Sequence, residues 1–280
     1  EQAAVNRWVV GSSPTRGATP APARRARRVR YGASTLVRRL PARIGAAPGA
    51  ALAVAVLAIA AACSDPPRVE PSAPQVRPAE GYVTSDTCRS CHPSQYASWA
   101  ASYHSTMTRA ATPATVLGDF DGTVVRGRGH DIALAREGDR FFATVPASDW
   151  DGTGTPPTET REVVLVTGSH HLQIYWYVTG HSRVLGRLPV AWEIFDERWF
   201  PTEDNFIAPP HPRDAPRTLE YGEWNHGCIQ CHVTDPRPKW GGLERTATEA
   251  SELGIACESC HGPADEHVER MRDPYVMRST

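Results

Sequence analysis

The sequence predicts an α+β fold with few regular elements. Short helices surround three copies of one pentapeptide, and an antiparallel β insert at about 117–200 separates the first copy from the other two. Three observations lead there. The pentapeptides Cys88-Arg-Ser-Cys-His92, Cys228-Ile-Gln-Cys-His232 and Cys257-Glu-Ser-Cys-His261 share the form C-x-x-C-H. Residues around 93–107 are poor in strand formers and begin with a proline suited to a helix first turn. Between the motifs lie β-branched and aromatic runs bounded by Gly, Asp and Pro.

The pentapeptide has a chemical reason. Two thiols three residues apart add across the two vinyl groups of one haem, and the adjoining imidazole lies close enough to ligate its iron. The chain is therefore expected to hold three covalent haem c groups. Cys88, Cys91, Cys228, Cys231, Cys257 and Cys260 form the thioethers, and His92, His232 and His261 are the proximal ligands. The competing reading is a zinc knuckle from Cys228, Cys231, Cys257 and Cys260, spaced C-x2-C-x25-C-x2-C. It leaves the first motif without a partner and does not explain a histidine after every second cysteine.

At the front of the chain, residues 1–63 read as a leader. Residues 1–22 resemble the conceptual translation of a transfer-RNA gene end and are expected to be an over-extended reading frame. Residues 23–63 read as an export signal: a run of arginines precedes Ile44–Ala62, which bears no charge. Three readings of its end stay open: a lipobox with Cys63 diacylated, a cleaved secretory signal, and a retained membrane anchor. Each places the rest of the chain in the periplasm or at the cell surface, where cysteines are not kept reduced. Residues 64–80 contain five prolines and read as an extended tether with a reach of up to about 50 Å.

Charge is divided unevenly. Residues 1–63 hold ten of the 30 basic residues and one of the 31 acidic ones, which leaves 20 basic and 30 acidic residues and a formal charge of −10. That balance excludes nucleic acid as the expected partner and favours basic or membrane-bound redox proteins. The apolar fraction is modest, so haem is expected to supply part of the interior of residues 81–280.

The order of elements follows from local pattern. A helix is expected over Pro93–Met107. Strands are expected at Thr123–Val125, Arg140–Val145, Glu162–Val166 and Leu172–Val178, and short helices from Trp224 onward. Asp119-Phe-Asp-Gly-Thr123 and Asp149-Trp-Asp-Gly-Thr153 echo each other; Asp-Gly is first a turn signal, with calcium the alternative. Only 25 residues separate Cys231 from Cys257, which makes the second and third haems expected neighbours.

Eight histidines remain for distal positions. His104, on the same expected helix as His92, is too near in sequence to cap its own haem and is a candidate for another. His170 and His171 follow a strand, whose alternation would point them to opposite sides, one as a ligand. His267 begins a new helix after the Gly262-Pro263 turn and is a further candidate. Met107 reads first as packing, His130, His181 and His211 as exposed loop residues, and His226 as a haem-edge contact or a buried residue.

Thr167-Gly-Ser-His-His-Leu-Gln173, Arg198-Trp-Phe-Pro201, Trp224–His232 and Glu252–Pro263 together resemble exported multihaem cytochromes c of the cytochrome c-554 type, from Gly81 almost to the end. The resemblance implies electron transfer through close-packed haems, with His104, His171 and His267 at positions where that family places iron-ligating histidines. Such proteins often continue into further C-x-x-C-H motifs, so an end at Thr280 suggests a truncated gene. The expected function is an exported electron carrier. The alternative is an oxidoreductase acting on nitrite or hydroxylamine at a five-coordinate haem. No catalytic residue is named.

Overall fold

The computed structural model describes residues 68–127, 130–147, 154–202, 221–273 and 275. The leader with Cys63, the Asp149–Thr153 segment and His211 lie outside these residues.

The stretch expected to be a free tether is extended, but over residues 69–79 it is bound to the rest of the unit. Val69 N–H donates to the Glu244 carbonyl (3.1 Å), Ser72 N–H to Ser182 (2.9 Å) and Arg77 N–H to Ala250 (2.9 Å). In its middle, β1 (Gln75–Val76) pairs in parallel with a strand near the C-terminus, Gln75 opposite Glu249. Proline lowers the conformational entropy lost on docking, so a proline-rich composition serves a bound strap as well as a linker. Arg77 fixes the strap through Glu249, at 2.9 Å.

Next come α1 (Ser85–Arg89), α2 (Pro93–Ala100) and α3 (Tyr103–Thr106). The single helix expected over 93–107 is broken at Ala101–Ser102. Ser102 Oγ donates to the Trp99 carbonyl (2.7 Å), a local bond that competes with helix continuation. None of α2 or α3 contributes a buried residue.

The larger sheet holds β2 (Thr108–Ala110), β3 (Val124–Gly127), β4 (His130–Glu137), β5 (Arg140–Pro146), β6 (Thr158–Thr167), β7 (Leu172–Val178), β8 (Leu185–Glu193) and β9 (Arg198–Pro201). β3 to β9 form an antiparallel meander in sequence order, with β2 pairing β6 off that path; β3 returns against β9, so the sheet curls almost to a barrel. Alternation fills its interior: Phe141, Ala143 and Val145 of β5 point in, with Tyr175 and Tyr177 of β7. Asp119 closes the turn into β3 by accepting from Asp121 N–H (2.9 Å) and Thr123 Oγ (2.7 Å), which uses both carboxylate oxygens locally and accounts for the Asp-Gly signal as a turn.

Of this sheet's strands, β2, β4, β8 and β9 were not expected, and two of them show why. β4 reads His-Asp-Ile-Ala-Leu-Ala-Arg-Glu, rich in helix formers, yet Ile132 and Leu134 alternate into the core. β8 contains Pro189, which argues against a central strand; the register with β7 shifts between Ile174 and Trp176, and the proline sits opposite that bulge where no ladder bond is required.

β7 is buried on both faces. Trp176 on its outer side, with Leu165 and Leu185, packs against Trp224, Ile229, Val233 and Ala250. This second core joins the large sheet to the C-terminal region. There, a π-helical turn (Trp224–Cys228) runs into α4 (Ile229–His232), followed by β10 (Val233–Arg237), β11 (Glu249–Leu253), α5 (Cys257–His261) and α6 (Asp265–Met271). β10 and β11 form an antiparallel pair, completed by β1 into a three-stranded sheet. The strand pair lies between the second and third motifs, while short helical segments carry or flank the motifs themselves, as expected from Trp224 onward. Among the described residues, no helix is long and apolar enough to cross a membrane.

Candidate functional site

Each C-x-x-C-H motif lies on a short helix. Cys88 is in α1 and His92 immediately precedes α2; Cys231 and His232 end α4; Cys257 to His261 make up α5. One helical turn puts the two thiols of a motif on the same side. The second cysteine is exposed in every motif, the first partly covered, and all six thiols are unpaired.

The first and third motifs share a cavity of about 580 Å³, lined by Cys88, His92, His104, Cys257, Cys260, His261 and His267. α1 and α5 are stitched together at their starts. Cys257 N–H donates to Ser85 Oγ (3.4 Å), while the Ser85 N–H and Oγ both donate to Glu252 (2.9 and 3.0 Å). Burial pushes the Cys88 thiol up to about 11, with nearby Cys257, Glu258 and Glu252 adding to the effect. Burial likewise pushes Cys228 up to about 11. Thiols held protonated are poor nucleophiles, which suits attachment to the chain before it folds.

His92 and His267 face each other across this cavity with their rings stacked, 6.3 Å between centroids and 23° between planes. His267 gets there because the Gly262-Pro263 turn redirects the chain into α6; Ala264 N–H is held by Glu258 Oε1 at 2.9 Å.

His104 reaches the cavity from α3. Its carbonyl accepts Ile255 N–H (3.0 Å), two residues before Cys257. This docking requires Gly254: its φ is +77°, and a Cβ there would lie 2.9 Å from the Ser105 carbonyl oxygen. The helix break before Tyr103 lets His104 turn toward the third motif.

Four cavity residues were not foreseen. Tyr96 and Trp99 of α2 form a wall, their rings 5.4 Å apart, and Trp99 Nε1 donates to the Ile255 carbonyl (2.8 Å). The signal was present in the helical spacing of residues 92, 96 and 99. Gln95 also lines the cavity. Glu258, inside the third motif and 4% exposed, accepts Val83 N–H at 3.0 and 3.1 Å. Its carboxyl is raised by burial, offset by these backbone bonds.

His170 and His171 are not at this cavity. They do not point to opposite sides, as strand alternation would require. They occupy the bend between β6 and β7, with rings 3.9 Å apart; His170 stacks on exposed Tyr103 (4.2 Å) and His171 lies by Phe195 (5.6 Å). Gly168, with φ +93°, makes the bend, and its N–H donates to the Met107 carbonyl (2.8 Å). Of the remaining histidines, His181 is partly buried and bonded to Glu244 (2.9 Å), and His226 is exposed beside Trp240.

The second motif sits apart on the joining core. It is tied to the third through Thr234, whose Oγ accepts Ala256 N–H (2.9 Å) and lies 2.7 Å from Ser259 Oγ. Burial lowers the His232 pKa, and both His232 Nδ1 and Trp224 Nε1 are buried without a hydrogen-bond partner. The residues present fit haem c: unpaired thiols three apart on helical turns, a histidine after each pair, and orphaned N–H groups beside one motif. Among the described residues no three His, Cys, Asp or Glu side chains gather to hold a metal ion, so the four cysteines of the zinc reading are not brought together.

These features fit the covalent attachment of haem c. The family model described as cytochrome c554 and c-prime matches residues 87–116 and 213–262, which span the first two motifs and the third. Over those segments the chain is similar to the cytochrome c-554 type that the sequence resemblance named. No curated protein matches. Two solved structures are similar at low level. The outer cell wall cytochrome OcwA has 18% identity and a TM-score of 0.41 over 68% of this chain and 33% of its own. An undecahaem cytochrome from the S-layer of Carboxydothermus ferrireducens has 20% identity and a TM-score of 0.40 over 72% and 24%. The chain thus spans a third or less of either.

Proposed function

We propose that this chain is an electron carrier with three covalent haem c groups, acting outside the cytoplasm and exchanging electrons with redox proteins. The stacked pair His92 and His267, 6.3 Å apart, is the observation behind this reading. Both histidines would hold the haem of the first motif, and an iron held by two imidazoles would have no position left for a substrate. His104, in the same cavity as His261, would offer a second imidazole to a haem held there.

Bound haem supplies one-electron redox chemistry at iron. The chain's residues do the rest. The six cysteines fix each macrocycle covalently, and Tyr96 and Trp99 wall the shared cavity. Glu258 ties the chain entering the first motif, at Val83, to the chain leaving the third, at Ala264. Ser85 and Glu252 keep the first and third motifs side by side, so that the groups they hold are close enough to exchange electrons. Export follows from the arginine-rich segment and the uncharged run before Cys63, and membrane attachment through Cys63 would keep the carrier near its partners. The acidic balance of the exported part favours basic partners.

Intact mass of the matured chain, together with carbon monoxide difference spectra of the reduced protein, tests this. Three covalent haems with little carbon monoxide response support the carrier. A stoichiometric response at the haem of the first motif would favour the oxidoreductase reading.

A further inference from the structure

The three motifs sit in two kinds of surroundings, and the difference bears on the direction of electron flow. The inference rests on the three-haem reading above. We infer that the site of Cys228, Cys231 and His232 is the high-potential end of the chain, where electrons delivered to the cavity of the first and third motifs come to rest.

The ferric state bears one more positive charge than the ferrous state, so an apolar setting without free carboxylates favours reduction, and nearby carboxylates oppose it. The second motif stands on an apolar floor in which Trp176, Leu185, Trp224 and Ile229 are all at most 1% exposed. Its nearby carboxylate, Glu223, is paired with Arg187 at 3.3 Å. Its orphaned buried groups are both nitrogens, Trp224 Nε1 and His232 Nδ1. When the other ring nitrogen of His232 ligates iron, Nδ1 carries the hydrogen and has no acceptor. An acceptor at that position raises the basicity of the ligand and stabilises the oxidised metal; its absence does the reverse.

The shared cavity is the opposite case. His92 and His261 are exposed, and buried Glu258 lines the cavity and accepts from the backbone N–H groups of Val83 and Ala264. Glu252 accepts from Ser85 beside it. These carboxylates stabilise oxidised iron at His92 and His261. A haem held by His232 would therefore take the electron that a haem held by His92 or His261 gives up, one becoming ferrous as the other becomes ferric. An exported redox protein supplies the electron at the cavity, and a second one removes it at the far end. The contact of Thr234 with Ala256 and Ser259 joins the two regions. His232 and Glu258 are positioning residues that set the potentials on either side.

The test is a stepwise reductive titration of the intact holoprotein with dithionite. It is followed by NMR of haem methyl signals, each assigned through its proximity to the cysteine side chains of one motif. Signals assigned to Cys228 and Cys231 are expected to change first. If those of the first or third motif change first, or all change together, the inference is overturned. Glu258→Gln is expected to shift the reduction equilibrium at the cavity haems about tenfold toward ferrous, about 59 mV for one electron, with the second motif unmoved; a shift confined to the second motif overturns it. Should that variant fail to fold, the titration of the wild type decides alone. Peptide mapping that finds no haem on Cys228 and Cys231 sinks both this inference and the three-haem reading. Three haems with another order of reduction sink this inference only.

Discussion

The curled sheet and the motif-bearing helices solve the problem of the interior in different ways. The sheet buries its own side chains: Ile132, Leu134, Tyr175, Leu188 and Val190 are at most 1% exposed. α2, α3 and α6 bury none of theirs and surround a cavity. Large apolar side chains stabilise the first region without help, whereas the second needs a ligand that fills it and so couples its folding to binding. Covalent attachment makes that coupling permanent.

The largest effect should come from withholding haem. In chain expressed without haem maturation, hydrogen exchange should remain slow at the amides of β6 and β7 and become fast across α1–α3, α5 and α6. Uniformly fast or uniformly slow exchange would erase the distinction between the regions. A smaller break is Trp176→Ala. The ring is 1% exposed, its Nε1 donates to Thr167 Oγ (3.0 Å), and it belongs to the core that joins the two regions. The substitution should cost about 3–5 kcal/mol in chemical denaturation and loosen the second motif with it.

Its neighbour Tyr175 points the other way. The hydroxyl accepts Gly118 N–H (2.9 Å) and donates to Gln173 Oε1 (2.6 Å), so Tyr175→Phe leaves the Gly118 N–H without its acceptor, while Gln173 Oε1 keeps the Leu117 N–H (2.9 Å). About 1–3 kcal/mol should be lost, with visible spectra of the haems unchanged; altered spectra would mean that the regions are not separable. The smallest effect concerns the strap. Burial pushes the Glu249 carboxyl up, but bonds from Arg77 and Lys239 outweigh this and bring it down to about 2. A depressed folded value means that its stabilisation is full above the ordinary carboxylate range, near 4.5, and is lost as pH falls toward 2. Exchange at Gln75 and Arg77 amides should accelerate over that interval before the large sheet responds. Arg77→Gln should shift the onset to higher pH, and an unchanged onset would exclude Glu249 as the cause.

The contrast between regions also explains what could be read in advance. The motifs were legible because thioether chemistry fixes cysteine spacing. β5, β6 and β7 were legible as β-branched and aromatic runs bounded by Gly, Asp and Pro. β4 was hidden by its alanines and arginine, and β8 by a proline whose tolerance depends on a bulge that only the pairing with β7 creates. The docking of 69–79 was invisible because an extended proline-rich segment looks alike whether bound or free. Among candidate ligands, His104 and His267 reach the cavity. His170 and His171 do not, because Gly168 turns the chain into a bend where strand alternation was assumed. The facing of His92 and His267, 175 residues apart, depends on how α1 and α5 are stitched together through Ser85, Glu252 and Glu258, and no local pattern reports it.

The account stands most directly on that pair of imidazoles. His267→Ala removes one of them from an exposed position on α6 while leaving every thioether cysteine in place. Intact mass and carbon monoxide difference spectra of wild type and variant should show the same haem content in both and one additional carbon monoxide-binding haem in the variant. Equal carbon monoxide responses in the two proteins would contradict the assignment of His267 as the ligand opposite His92.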